Sequence, residues 1–224
     1  AEFKLGCRLF IINFPHNPTG ATLTKFDLKR IVVLCKKYNV WLLSDEVFRG
    51  LEHNVEQQLP AVADLYVKGI SIGVISKAFA IPGIRVGWLV CKSKWLRTKV
   101  SDIKGYLSIC NSQVDELLAA TILKHKQKLL KRNLQLILKN KKLLMNVKSI
   151  SGVDVDIVIP NTGCCIFAIL NGNGAVIDSD ILVKDIARVS NYLLYPSGLF
   201  KTDVNAIRIG FGGSRFSEFV SVLS

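Results

Sequence analysis

Runs of apolar residues closed by polar or turn residues dominate the first half of the chain. Phe10-Ile11-Ile12 stops at Asn13, Val40-Trp41-Leu42-Leu43 stops at Ser44-Asp45-Glu46, and Ile70-Ser71-Ile72-Gly73-Val74-Ile75 runs into Ser76-Lys77. Short unbroken runs of this kind predict buried strands rather than strands with one wet face. Between the first two, Thr24 and Asp27 precede Leu28-Lys29-Arg30-Ile31-Val32-Val33-Leu34-Cys35, a capped helix with a carboxylate in its first turn. Strand, helix and strand in that order predict a parallel βαβ unit with a right-handed crossover.

The pattern then lengthens to a helical period. Ser112 with Asp115 opens a helix from Gln113 to about Lys126, and a second helical pattern runs from Asn133 to about Met145 with Leu134, Leu138 and Leu144 on it. Beyond Ser149 the chain shortens its stride again: apolar segments 153–159 and 164–170, a helix near 179–189, and a closing strand at 207–210. The expected architecture is an α/β domain over 1–148, with a mostly parallel sheet and connecting helices, followed by an α+β small domain over 149–224.

Composition supports a folded chain and narrows its setting. Of 224 residues, 50% are hydrophobic and 21% charged, which excludes a disordered tail. A mean hydropathy of +0.33 is high, and strands covered on both faces account for it. No apolar run approaches the ~20 residues of a spanning helix, so no membrane is expected. The six cysteines show no metal spacing and predict reduced thiols in a cytoplasmic protein; Cys164 and Cys165, adjacent in a strand-like segment, should face opposite ways. His16, His53 and His125 are too dispersed for a ligand set, and His16 reads as an exposed turn residue beside the Asn-Pro turn.

The net charge of +13 is concentrated: residues 124–148 carry nine Lys and Arg and no Asp or Glu. Such a run attracts phosphate backbones, but without interleaved aromatic residues a solvated helix face is the favoured reading, and no nucleic-acid partner is expected.

The chemistry-bearing residues sit where the predicted strands end. Lys77 follows a buried strand, where partial desolvation would lower its pKa and free its amine for a Schiff base. Arg85 follows eight residues later, with the planar fork that suits a phosphate. The order Asn17-Pro18-Thr19-Gly20, then an apolar run with Asp45-Glu46-Val47, then Ser76-Lys77 with Pro82-Gly83-Ile84-Arg85-Val86-Gly87-Trp88, and finally Ile207-Arg208-Ile209-Gly210, resembles the class I/II aminotransferases. These are fold-type I enzymes that use pyridoxal 5'-phosphate (PLP). Residues 45–53 and 108–112 look like a branch that includes capreomycidine synthase-like and arginine-oxidising enzymes.

The resemblance implies a role for each position. Lys77 would hold PLP and shuttle the Cα proton, Asp45 would keep the ring nitrogen protonated, and Asn17 would donate to the ring oxygen. Arg85 would pair with the phosphate, and Arg208 would take the substrate α-carboxylate. Asn17-Pro18 is a cis bond in this family. α-Amino acids and 2-oxo acids are the implied substrates, with elimination or oxidation as other outcomes of the same chemistry, and the full-length form is implied to be a homodimer. Phe48 stands where the family carries a tyrosine that bonds the cofactor, and Val74 where many members carry a phosphate-binding serine, a post that Ser76 would take over. The family's glycine-containing phosphate loop, stacking aromatic residue and further strands lie upstream of the Asn-Pro-Thr-Gly strand. The chain is therefore expected to be a C-terminal portion: a fragment, one piece of a split protein, or a degenerate descendant. A non-catalytic half that binds a partner, and a basic nucleic-acid-binding protein, are the rival readings.

Overall fold

A computed structural model describes residues 2–172, 177–190 and 192–223. The chain divides into two compact units, one of residues 1–15 and 22–131, the other of 16–21 and 132–224. Residues 132–148 and the Asn-Pro turn thus go with the second unit.

The first unit opens with β1 (Leu9–Asn13), α1 (Lys25–Lys37) and β2 (Trp41–Asp45). Thr24 caps α1: its hydroxyl accepts from Asp27 N–H at 3.0 Å and donates to the Asp27 carboxylate at 2.6 Å. β1 and β2 pair in parallel, with Asn13 opposite Asp45, as the βαβ pattern predicts. After the short α2 (Val62–Leu65), β3 (Gly69–Val74) pairs in parallel with β2, and β4 (Gly87–Cys91) turns back antiparallel to β3, giving the order β1-β2-β3-β4. The core on one side joins α1 to β1 and β2 through Leu28, Val32, Cys35, Ile12 and Leu42, with Val62 and Tyr66 from α2 and its end. Burial holds the Cys35 thiol up at about 11, in keeping with a protonated packing residue.

The outer strands depart from the double-covered expectation. Leu9 and Ile11 on β1, and Trp88, Leu89 and Val90 on β4, the two edge strands, are exposed. α3 (Lys94–Leu107) and α4 (Gln113–Lys124) follow, the latter capped by Ser112 as expected.

α5 (Lys126–Leu144) buries Asn133, Ile137, Asn140 and Leu144 at helical spacing, so most lysines of the basic run lie on its solvated faces. The second unit builds an antiparallel sheet from β5 (Ser149–Ile150), β6 (Val153–Ile157), β7 (Cys165–Asn171), β8 (Tyr195–Pro196) and β9 (Ala206–Gly210), in the order β5-β6-β7-β9-β8. α6 (Ser179–Ser190) precedes β8, and α7 (Phe216–Leu223) follows β9. Ile166, Ile186, Ile207, Ile209 and Phe211 are fully buried in its core. Asn140, itself buried, donates to the carbonyls of Phe211 (2.9 Å) and Gly213 (2.8 Å) and so fixes the chain leaving β9.

Among the described residues no helix is long and apolar enough to cross a membrane, and no cluster of His, Cys, Asp and Glu suits a metal. All six cysteines are free thiols.

Candidate active site

The carboxyl ends of parallel strands collect the first group of residues. Asp45 is the last residue of β2, level with Ile72 of β3, and its carboxylate accepts from Val47 N–H at 3.1 Å. Beyond Val74 the β3–β4 pairing is prolonged by a bond from Ile75 N–H to Val86 C=O at 3.0 Å. That rung brings Ser76 and Arg85 face to face across the loop. The Arg85 guanidinium donates through Nη1 to the Ser76 hydroxyl (3.3 Å) and to the Pro82 carbonyl (2.9 Å).

Lys77 sits on this loop in a turn closed by Ala80 N–H to Lys77 C=O at 2.9 Å. Ile75, Ala78 and Phe79 are buried on either side, so the loop is anchored while the lysine is turned outward. Lys77 is exposed, which corrects the expectation of partial desolvation: Ile75, Ala78 and Phe79 face inward, while Ser76 is only partly buried and Lys77 is turned out. Phe48, expected at the cofactor, is 4% exposed and packs as a core residue.

A buried carboxylate beside Asp45 supports this edge. Glu46 takes Arg49 Nε (3.0 Å) and Nη2 (2.7 Å) on Oε2, and Val62 N–H (3.1 Å) and the Ser71 hydroxyl (2.9 Å) on Oε1. Arg49 reaches on to the Leu59 carbonyl at 2.7 Å. A carboxylate so fully satisfied is structural: it ties the segment around residues 59–63 to the end of β2 and to β3. The second acidic residue after an apolar strand was its one trace in the sequence.

The second unit holds the other group. Asn17 lies on the turn 16–20, where the peptide bond Asn17-Pro18 is cis, as is Phe14-Pro15. Gly20 closes the turn at φ +72°, and a Cβ there would stand 2.6 Å from Pro160 and 2.7 Å from the Cys165 carbonyl, so only glycine fits. Asn17 Oδ1 accepts from Arg208 Nε at 2.8 Å and from the Cys165 thiol at 3.9 Å. The Arg208 guanidinium also lies over the Tyr195 ring, 5.6 Å from its centroid, since β8 places Tyr195 opposite Arg208. Sequence reasoning missed Cys165 and Tyr195 here, because both depend on strand pairing across long separations. His16 is half-buried rather than exposed, bonded through Nδ1 to the Thr19 hydroxyl at 2.8 Å, and burial lowers its pKa.

An amine on a turn, a carboxylate at the end of the next strand, and a guanidinium paired with a hydroxyl form a donor set that fits PLP: a Schiff-base lysine, a partner for a protonated ring nitrogen, and a phosphate cradle. Lys77, Asp45, Ser76 and Arg85 belong to the first unit, Asn17 and Arg208 to the second.

The family model for class I and II aminotransferases matches residues 1–215, and the chain belongs to that family. It is 29% identical over 208 residues to capreomycidine synthase of Streptomyces vinaceus, covering 93% of this chain and 52% of that enzyme. It is 37% identical over 87 residues to the arginine–pyruvate transaminase AruH of Pseudomonas aeruginosa, covering 37% of this chain and 21% of that protein. Among solved structures, the PLP-dependent cyclase OrfR superposes with a TM-score of 0.86 at 25% identity, over 97% of this chain and 58% of that one. A PLP-dependent aminotransferase of Streptococcus suis superposes at 0.83 and 24% identity, over 96% and 57%. The chain thus spans about half the length of capreomycidine synthase.

Proposed function

We propose that this chain carries the lysine, ring-nitrogen and substrate-carboxylate groups of a PLP-dependent aminotransferase-type enzyme acting on an α-amino acid. The observation that carries the reading is that Asp45, the last residue of β2, and the loop after the neighbouring parallel strand β3, with Lys77 and the Ser76–Arg85 pair, lie at the same end of the sheet. When bound, PLP supplies an electron sink for a carbanion at the amino-acid Cα. Lys77 would hold the cofactor at its aldehyde carbon, with loss of water, and its amine, freed when the substrate amine takes its place there, would take the Cα proton. Asp45 holds the proton at the ring nitrogen, Arg85 and Ser76 hold the phosphate, and Arg208, steadied by Asn17, holds the α-carboxylate.

Arg85→Ala is expected to weaken PLP binding by roughly 10–150-fold, the equivalent of one charge-assisted contact of about 1.5–3 kcal/mol, as read by absorbance titration. Unchanged affinity would remove Arg85 from the phosphate site. Asp45→Ala should lower turnover in an active assembly by about 10²-fold or more while Asp45→Glu keeps a remnant, because only a carboxylate retains the ring proton. Equal rates for the alanine variant and the parent would count against that role.

A second reading is favoured by one observation: β4, α3 and α4 expose Trp88, Val90, Trp95, Tyr106, Leu107 and Leu117 in the first unit. Apolar surface of that extent calls for a covering polypeptide, so the chain would act as a half that binds a partner. On this reading the chain alone holds PLP weakly. Tight, stoichiometric binding with catalysis by the chain alone would reject it.

A further inference from the structure

α1 has two apolar faces, and the fold uses one. Leu28, Val32 and Cys35 are buried in the core beside the sheet, while Phe26, Val33 and Leu34 on the other side of the helix are 67%, 62% and 44% exposed. At helical spacing Phe26, Arg30, Val33 and Lys37 form one outward ridge, with Lys25, Lys29 and Lys36 along one flank and Leu34 along the other. The Arg30 guanidinium lies over the Phe26 ring, 5.7 Å from its centroid.

The charge on this ridge is of one sign and unpaired. Residues 25–37 carry five basic residues against one acid, and that acid, Asp27, accepts from the Thr24 hydroxyl at the cap. Among the described residues none of the five takes part in an ion pair. α3 is different, because its cations are partly used by the protein itself: Arg97 donates to the Cys91 and Lys92 carbonyls at 2.8 and 2.9 Å, and Lys104 to the Ser108 hydroxyl and the Asn111 amide oxygen at 3.0 and 3.2 Å.

The shape and the mixture of side chains select what can cover α1. Phe26, Lys29, Arg30, Val33 and Leu34 border an open hollow of about 360 Å3 to which no other element contributes. A second copy would bring the same cations against these, and a nucleic acid would use the cations but leave the apolar ridge in water. An apolar groove on a partner would have to bury Arg30 and Lys37, which stand on the ridge itself. A lipid headgroup layer takes both kinds of side chain, since long basic stems reach the phosphates while the apolar groups beside them sink below.

We propose that α1 docks its outer face on an anionic phospholipid surface, with Phe26, Val33 and Leu34 at the headgroup boundary and the five cations on the lipid anions. Such docking lies on a bilayer rather than across it, so it requires no spanning helix, and none is found among the described residues. It makes no use of Lys77, Asp45 or Arg85, and so stands or falls apart from the cofactor reading.

Co-sedimentation of the full chain with vesicles tests this. Vesicles of phosphatidylserine and phosphatidylcholine in equal parts are expected to bind it about tenfold or more tightly than phosphatidylcholine alone, an advantage that high salt removes. Phe26→Ser with Val33→Ser should weaken binding to the mixed vesicles by about tenfold or more, and Lys29→Gln with Lys36→Gln by about 25-fold at roughly fivefold per charge. Neither pair should move the thermal midpoint, because all four side chains are exposed. Tyr106→Ser with Leu107→Ser, on exposed residues of α3, is the control and should leave vesicle binding within about twofold of the parent. Equal binding to the two kinds of vesicle, serine variants on α1 that bind like the parent, or a control that loses binding as they do would overturn the proposal. A dimer in sedimentation equilibrium that Phe26→Ser with Val33→Ser dissociates would overturn it in favour of a second copy. Tighter binding of a single-stranded oligonucleotide, lost in the glutamine variant and kept in the serine variant, would overturn it in favour of a nucleic acid.

Discussion

Lys77→Ala is expected to abolish covalent capture of PLP. Lys77 carries the one amine on the loop between β3 and β4, and alanine there leaves the Arg85–Ser76 pair in place. The variant should therefore lose the absorbance of the Schiff base entirely and retain only weak, freely dialysable cofactor. In an active assembly, removal of the proton-transferring amine should cost at least about 10²–10⁴-fold in turnover. Because Lys77 is exposed and its neighbours Ile75 and Ala78 supply the packing, the thermal midpoint should not move. A Schiff base that survives the substitution would exclude the assigned role, and a large fall in midpoint would assign the residue to the fold instead.

Gly69→Ala should have the largest effect on stability. A Cβ at this position would lie 2.2 Å from the Val62 carbonyl oxygen and 2.7 Å from its carbon, with the Tyr66 carbonyl at 3.0 Å. All three are backbone atoms of α2 and its end, so no rotamer change relieves the overlap. The strand must move off the helix, and Gly69 is the residue of β3 that faces Leu42 of β2. A cost of about 3 kcal/mol follows, a sizeable part of the ~5–15 kcal/mol that holds a domain together. Urea unfolding would show it as a fall in midpoint, and PLP binding should weaken with it, since the pairing of β2 and β3 puts Asp45 and the loop of Lys77 at one end of the sheet. Gly105, in α3 with nothing within 4 Å of a Cβ, is the control: Gly105→Ala should be neutral or stabilising by about 0.5–1 kcal/mol. Equal behaviour of the two variants would refute the steric account.

What the sequence made legible was local chemistry. Thr24 and Asp27 announce α1, Ser112 and Asp115 announce α4, and the apolar runs ending at Asn13 and Asp45 announce the parallel strands β1 and β2. The family motifs single out Lys77 and Arg85 on the loop between β3 and β4, Asp45 at the end of β2, and Arg208 in the middle of β9. α3 carries an apolar stripe, Leu96, Val100, Ile103 and Leu107, at helical spacing, yet none of its residues is buried. Two-residue β8 is too short to leave a pattern, yet it sets Tyr195 against Arg208. The Glu46 network joins residues 16 and 25 positions apart, a relation that only the folded sheet creates. The exposure of Lys77 was misjudged for a related reason. Strand ends suggest burial, but the turn that follows sends neighbouring side chains inward and the lysine out.

Borohydride reduction of the chain in the presence of PLP, followed by peptide mapping, tests the central claim most directly. The account predicts a single phosphopyridoxyl label on Lys77, in the peptide that contains Ser76 and Ala78. A label on any other lysine, spread over the basic helix of residues 126–144, or absent altogether, would contradict it.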